Sequence, residues 1–392
     1  MEHGSVTNGE PLELYLHIPF CVKKCAYCDF LSAPATDDII QDYVGALKKE
    51  IRQKAACVPK RSVTSIFFGG GTPSLLSAKQ IMELMETVKR SFFIEADAEI
   101  TMECNPGTVT EGKLFAMKVA GINRLSIGLQ SAQDHELRTL GRIHRNADFL
   151  SCYELARKVG FQNINVDLIY GFPGQTAESF SKTLQEVCGV LPEHISVYRL
   201  IIEEGTPFYD WYHKDAKRRD AGETPKILPT EEEEERMEQA LRKILSRHGY
   251  QQYEISNYAR QGKVCRHNIG YWTGVEYLGL GLGASSMMDA SRFQNTSDLS
   301  EYIKEDFEPR EKIQLTKEMQ IEEFMFLGLR MLCGVRKHEF YKRFGRDLMQ
   351  VYGGQIRKLT AMGLLTETTE DVRLTARGLQ CGNQVFAAFL SE

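Results

Sequence analysis

No apolar run in this chain approaches the roughly 18 residues that a membrane-spanning helix requires. The first ten residues, MEHGSVTNGE, are polar. They have neither the hydrophobic stretch of a signal peptide nor the Arg-rich, acid-poor character of an organelle transit segment. The expected compartment is the cytoplasm, and an integral membrane protein is not expected. A positive excess is missing too: 48 Lys and Arg stand against 53 Asp and Glu, for a net charge of −5. That balance argues against a general polyanion binder, so no nucleic-acid partner is expected. Cytoplasmic thiols stay reduced, so the ten cysteines are not a disulfide framework. Seven of them (Cys57, Cys104, Cys152, Cys188, Cys265, Cys333 and Cys381) are scattered, and most of those read as small buried hydrophobes.

What the chain does have is length and a core. Its 392 residues are 42% hydrophobic, enough for two or three domains, or for one α/β barrel with an appendage. Over the first 250 residues, short strand-like runs alternate with helical patterns. The runs are LELYLHI (12–18), SVTSIFF (62–68), AEITME (98–103), RLSIGLQ (124–130), NINVDLIYG (163–171) and HISVYRL (194–200). Regular β-then-α alternation predicts parallel strands with crossover helices. Six units form a partial barrel or an open doubly wound sheet. The strands read as apolar through most of their length, as strands buried on both faces would be. Residues 203–229 read as a mobile charged segment, and the acidic run Glu231 to Glu235 as a solvated helix face. Residues 250–310 are rich in Tyr, Gly and Ser. From Thr316 the periodicity is helical, and TETTEDVRLTARG then suggests a β-wing, so a small winged-helix-like module is expected. The expected domain limits are 1–250, 251–312 and 313–392.

Chemistry-bearing residues fall at the strand ends, the rim where parallel β/α folds assemble their sites. The segment after the first strand, CVKKCAYC, places Cys21, Cys25 and Cys28 in a CxxxCxxC array with no fourth cysteine beside it. A structural zinc site closes with four ligands, and a buried-core reading suits poorly a loop containing Lys23 and Lys24. A [4Fe–4S] cluster held by three thiolates keeps one iron open, able to take the amine and carboxylate of S-adenosylmethionine. The glycine run Gly69-Gly70-Gly71 could let backbone approach such a ligand, or could be a tight strand exit. Glu103 and Asp167 could accept hydrogen bonds from ammonium or ribose groups, or could cap strand ends.

CxxxCxxC after a first strand, with GGGTP after the second, resembles the radical S-adenosylmethionine (radical SAM) superfamily. YLHIPFC, FFGGGTPS, MECNP, RLSIGLQS, LGRIH and NVDLIYGFPGQT, spread over residues 12–176, resemble its oxygen-independent coproporphyrinogen III dehydrogenase group more closely. The resemblance implies a partial (β/α)6 TIM-like barrel with a small C-terminal winged-helix-like domain. It implies that Cys21, Cys25 and Cys28 ligate the cluster. Tyr15, Gly70 and Glu103 would then line the S-adenosylmethionine. Gly71, Thr72, Gln130, Arg142 and Asp167 match contacts to a second S-adenosylmethionine, and Tyr27 stands where the dehydrogenase has Phe.

Two subfamilies share these patterns. The dehydrogenases carry a further cysteine two positions after the third, where this chain has Phe30, and a longer segment ahead of their cysteines. The HemW-type haem chaperones have CxF there and an HNxxYW motif, which this chain matches at His267-Asn268-Ile269-Gly270-Tyr271-Trp272. The resemblance is therefore to that subfamily. It implies a carrier that binds haem and passes it to an acceptor protein of unstated identity, respiratory or membrane-associated. A homodimer is compatible with the sequence, though no feature requires one. His267 is the expected axial ligand of haem iron, with Tyr271 and Trp272 walling the macrocycle and Arg266 near a propionate. The other reading of His267 is a histidine held in the core by hydrogen bonds. The alternative functions are coproporphyrinogen III decarboxylation and radical chemistry on an unidentified substrate.

Overall fold

The computed structural model describes residues 10–58 and 61–390. The polar stretch 1–9, on which the expectation about targeting rests, lies outside the described residues. Six strands run parallel, in chain order, through one sheet: β1 (Pro11–Ile18), β2 (Ser62–Gly70), β3 (Phe93–Cys104), β4 (Arg124–Gln130), β5 (Ile164–Tyr170) and β6 (His194–Arg199). Between them lie α1 (Asp37–Ala56), α2 (Ala78–Ser91), α3 (Glu111–Ala120), the pair α4 (Asp134–Thr139) and α5 (Asn146–Val159), and α6 (Ala177–Gly189). Local chemistry sets these boundaries. The side chains of Thr36, Ser77, Thr110 and Thr176 each accept a hydrogen bond from a first-turn amide. Every unit lies close to the span that the sequence alternation predicts.

One expectation about these strands fails. They are not apolar on both faces. Leu12, Leu14 and Leu16 of β1 are fully buried in the main apolar core, as are Ile66 and Phe68 of β2 and Val166 and Leu168 of β5. The intervening positions hold Glu13, Tyr15 and His17 on β1, Glu99, Thr101 and Glu103 on β3, and Asn165 and Asp167 on β5. Side chains alternate across a strand, so one face packs on the helices and the other makes a polar interior.

The segment 203–229 is ordered, against expectation. It contains α7 (Pro207–Asp220), capped by Thr206, whose Phe208 is buried against Leu140, Phe172 and Leu200. Asp215 accepts hydrogen bonds from the amides of Lys226, Ile227 and Leu228 and so fixes the returning chain. Nor is the whole acidic run of α8 (Glu231–Arg247) solvated: Glu234 is buried between Arg199 at 2.6 Å and Arg219 at 2.7 Å.

Residues 251–312 extend the sheet at both edges. β7 (Gln251–Gln252) and β8 (Asn257–Ala259) add antiparallel strands beyond β6. After α9 (Arg266–Thr273), β9 (Glu276–Leu280) runs parallel beside β1. β10 (Ser285–Met288), β11 (Ser291–Gln294) and, beyond α10 (Leu299–Ile303), β12 (Arg310–Gln314) complete a twelve-stranded sheet. The rest of the chain has its own apolar core. It comprises α11 (Lys317–Gly328), β13 (Val335–Arg336), α12 (Lys337–Phe344), α13 (Leu348–Ala361), β14 (Leu365–Glu367), β15 (Asp371–Leu374), α14 (Ala376–Gln380) and α15 (Gly382–Ala387), with its three strands in one small sheet.

Candidate functional site

The loop after β1 holds Cys21, Cys25 and Cys28, all half-buried. It is seated from three sides. The amide of Cys21 donates to the Ala33 carbonyl at 3.1 Å, the amide of Ala26 to the Leu140 carbonyl, and the amide of Phe208 to the Ala26 carbonyl. Burial raises the pKa of the Cys28 thiol, a hydrogen bond from the Phe30 amide opposes the rise, and Cys25 and Cys21 add to it. Among the described residues, no three His, Cys, Asp or Glu side chains converge tightly enough to hold a single metal ion. A cube of four irons takes each thiolate at a different corner, so separated thiolates on one loop fit it.

The glycine run serves this loop directly. The Gly71 amide donates to the Ile18 carbonyl and the Thr72 amide to the Phe20 carbonyl, both at 2.8 Å. A Cβ at Gly71 would stand 2.7 Å from the Phe20 carbonyl oxygen and 2.9 Å from that of Ile18. Gly70 has φ +108°, and a Cβ there would strike the His17 ring. Close packing of the two strand ends therefore accounts for both glycines. The Thr72 hydroxyl lies 3.5 Å from Cys21 Sγ.

The polar rim continues around the sheet. Tyr15 Oη meets His17 Nδ1 at 3.1 Å, and His17 Nε2 meets the Leu31 carbonyl at 2.9 Å. A carbonyl only accepts, so Nε2 carries the ring proton and Nδ1 accepts from Tyr15. Burial raises the pKa of Glu103 to about 8, with the Asp167 charge adding to the effect and the Gly70 amide and Arg124 opposing it. Asp167 is raised by burial as well, against hydrogen bonds from Ser126 and Asn165 at 2.8 Å each. Among the described residues neither carboxyl has a cation within 4 Å. An ammonium or sulfonium brought to this rim would meet two acids that lack one. Gln130 ends β4 at φ +73°, a strained backbone for a residue with a side chain. Arg142 is already engaged: it donates to the Asn105 side chain, to the Gly128 carbonyl at 2.8 Å, and towards Cys25 Sγ at 3.6 Å.

Below the rim lies a second polar layer, which sequence reasoning missed. Arg124 is 1% exposed and is among the largest fully buried side chains of the described residues. A hydrogen-bonded chain runs past it from the start of α9 to the rim. The Cys265 amide donates to Tyr253 Oη, which faces His194 Nε2 at 2.8 Å. His194 Nδ1 faces Asn165 Oδ1 at 2.6 Å, and the Asn165 amide donates to Asp167. The period-two alternation of polar residues in β1, β3, β4 and β5 was the signal for this layer.

His267 belongs to the same floor. It is 2% exposed, with Nδ1 2.7 Å from Ser65 Oγ and its ring stacked on Phe67 at 5.1 Å. Burial lowers its pKa to about 3 and raises that of Glu13 to about 8. Both are therefore neutral near pH 7, and their 3.6 Å contact is not an ion pair. The structure does not bring His267 to the cysteine loop or to the surface. Arg266 is engaged with Asp97 and with the Thr64 carbonyl.

Comparison with known proteins agrees with this geometry. Residues 15–187 match the family model of the radical SAM superfamily, and residues 315–381 that of the HemN C-terminal domain. The chain is 37% identical over 383 residues to the heme chaperone HemW of Bacillus subtilis, spanning 96% of this chain and 99% of that protein. Against the heme chaperone HemW of Escherichia coli the identity is 34%, over 97% of this chain and 99% of that one. It is 32% identical to the mitochondrial radical S-adenosyl methionine domain-containing protein 1 of Danio rerio, over 97% of this chain and 87% of that one. Among solved structures, the radical SAM coproporphyrinogen III oxidase HemN of Escherichia coli superposes with a TM-score of 0.82 at 26% identity, covering 98% of this chain and 91% of that one.

Proposed function

The chain belongs to the HemW family within the radical SAM superfamily, and on that premise we propose that it is a haem chaperone, binding haem and handing it to an acceptor protein. The observation that carries the proposal is end-to-end similarity to HemW proteins in a chain with Phe30 where the dehydrogenases have cysteine, and with HNxxYW at residues 267–272.

Cys21, Cys25 and Cys28 are the proposed ligands of a [4Fe–4S] cluster, supported by their placement at separate points of one braced loop. Tyr15, Gly70 and Glu103 are proposed to line its S-adenosylmethionine, and Gly71, Thr72, Gln130 and Asp167 to stand around a second binding position. When bound, the cluster supplies an electron to the sulfonium of S-adenosylmethionine. The protein's own part is to present two half-buried carboxyls, Glu103 and Asp167, to a cationic ligand and to hold the cysteine loop. The existing bonds of Arg142 to Asn105, Gly128 and Cys25 support a positioning role for it.

Burial of His267 supports the alternative that it braces the floor of the sheet, in preference to axial ligation of haem iron. The acceptor is proposed to be a protein, and the cytoplasm the compartment on the grounds of composition. Among the described residues no helix is long and apolar enough to cross a membrane.

An anaerobic assay with reductant, S-adenosylmethionine and coproporphyrinogen III, run beside a haem titration, tests the reading. Saturable haem binding without protoporphyrinogen formation is expected. Formation of protoporphyrinogen would overturn it in favour of the dehydrogenase.

A further inference from the structure

A carrier of haem needs an accessible donor for the iron, and the histidine of HNxxYW lies in the interior. His17, His144 and His194 are buried as well, and His17 and His194 have both ring nitrogens engaged. Four other described histidines, His135, His213, His248 and His338, are exposed or half-buried. His213 is set apart from the other three. Its Nδ1 lies 2.7 Å from the carbonyl of Tyr209, one turn back on α7. A carbonyl only accepts, so Nδ1 carries a proton, and in the neutral ring the lone pair is on Nε2. The imidazole is stacked on the Tyr209 ring at 4.9 Å and 19°, which fixes its plane. Among the described residues, no ring nitrogen of His135, His248 or His338 is held by a hydrogen bond.

The helix under His213 is braced along its length. Its first turn seats the cysteine loop: the Phe208 amide donates to the Ala26 carbonyl at 3.0 Å, and the Phe208 ring meets that of Tyr27 at 6.3 Å. Further along, the Asp215 carboxylate takes three amides of the returning chain. Helical spacing puts Tyr209, His213 and Ala216 on one half-buried flank. The ring therefore stands on a rigid, partly apolar surface within reach of solvent. A ligating imidazole usually donates its second N–H to a carbonyl or carboxylate, which sets the tautomer and aims the other nitrogen at the metal. We propose that His213 is the axial ligand of haem iron, through Nε2, with the macrocycle held on the outer flank of α7. The inference rests on the haem-chaperone reading and names the iron donor which that reading lacks once His267 is placed in the interior. An open flank suits a carrier, because an acceptor can reach haem held there.

The test follows the Soret band as haem is titrated into the full-length, cluster-reconstituted protein. His213→Ala should weaken haem binding about tenfold or more and shift the band. Free imidazole added to that variant should restore the wild-type band, and retained cluster absorbance shows that the variant is folded. His248→Ala should leave affinity and band unchanged. An unaffected His213→Ala overturns the proposal, and so does a loss that imidazole does not reverse or an equal loss in His248→Ala. A thiolate-type ferrous carbonyl spectrum in wild type overturns it without any variant. If wild type shows no saturable haem binding, the haem-chaperone reading itself fails; saturable binding with an unaffected His213→Ala rejects this assignment alone.

Discussion

His267→Ala separates two roles for the histidine of HNxxYW. In the structure His267 is 2% exposed, stacked on Phe67, and bonded through Nδ1 to Ser65. Removing a buried ring of this size costs about 2–5 kcal/mol through lost contacts and the space left behind. The Ser65 hydroxyl keeps the Glu13 carboxyl as a partner, so no further unpaired group is created. Partial collapse of the site offsets some of the loss, so a net loss of about 2–4 kcal/mol is expected. Urea unfolding of wild type and variant at pH 7, with the slope checked for constancy, measures it. Haem titration of the folded variant should give a Soret band of wild-type shape, because the ring lies in the floor of the sheet. A loss under about 1 kcal/mol together with a vanished or shifted Soret band would refute the reasoning and restore His267 as the axial ligand.

Cys25→Ser should lose the visible absorbance of the cluster after anaerobic reconstitution, and full iron and sulfide content in that variant would remove it from the ligand set. Gly71→Ala forces a Cβ to within 2.7 Å of the Phe20 carbonyl oxygen, so the cysteine loop must shift. Cluster loading should fall with a stability loss of about 1–3 kcal/mol, and normal loading would show that the glycine is not needed for packing. Burial holds the Glu13 carboxyl at about 8 in the fold, against about 4.3 unfolded. The unfolded chain therefore releases its proton first, and stability falls as pH rises from about 4 to 8. Glu13→Gln removes that slope, so its stability relative to wild type should climb through this window by several kcal/mol at most. A difference independent of pH would contradict the assigned shift.

The β/α order was legible because each parallel strand is a short apolar run followed by a capped amphipathic helix, as with Ser77 ahead of α2. Local pattern reports such elements reliably. The polar interior was written in the same residues, as the alternation of Glu13, Tyr15 and His17 with Leu12, Leu14 and Leu16, but it was concealed by reading each strand as a block. α7 was missed because its charged surface, Lys214 to Asp220, outweighs the few residues that anchor it, Phe208 and Asp215 among them. Glu234 was misread because its partners, Arg199 and Arg219, come from other elements. The placement of β9 beside β1 joins segments more than 250 residues apart, and nothing local records it. In the candidate site, the thiolate spacing and the strand-end carboxyls needed only the sequence. The burial of His267 and the polar layer around Arg124 needed the folded chain.

The most direct test of the account is an oxygen-free haem titration of reconstituted protein, with iron, sulfide and zinc determined on the same sample. The expected result is roughly four irons and four sulfides per chain, with a saturable Soret band growing in while the cluster absorbance is preserved. Zinc in place of iron, or haem absorbance that rises without saturating, would contradict it.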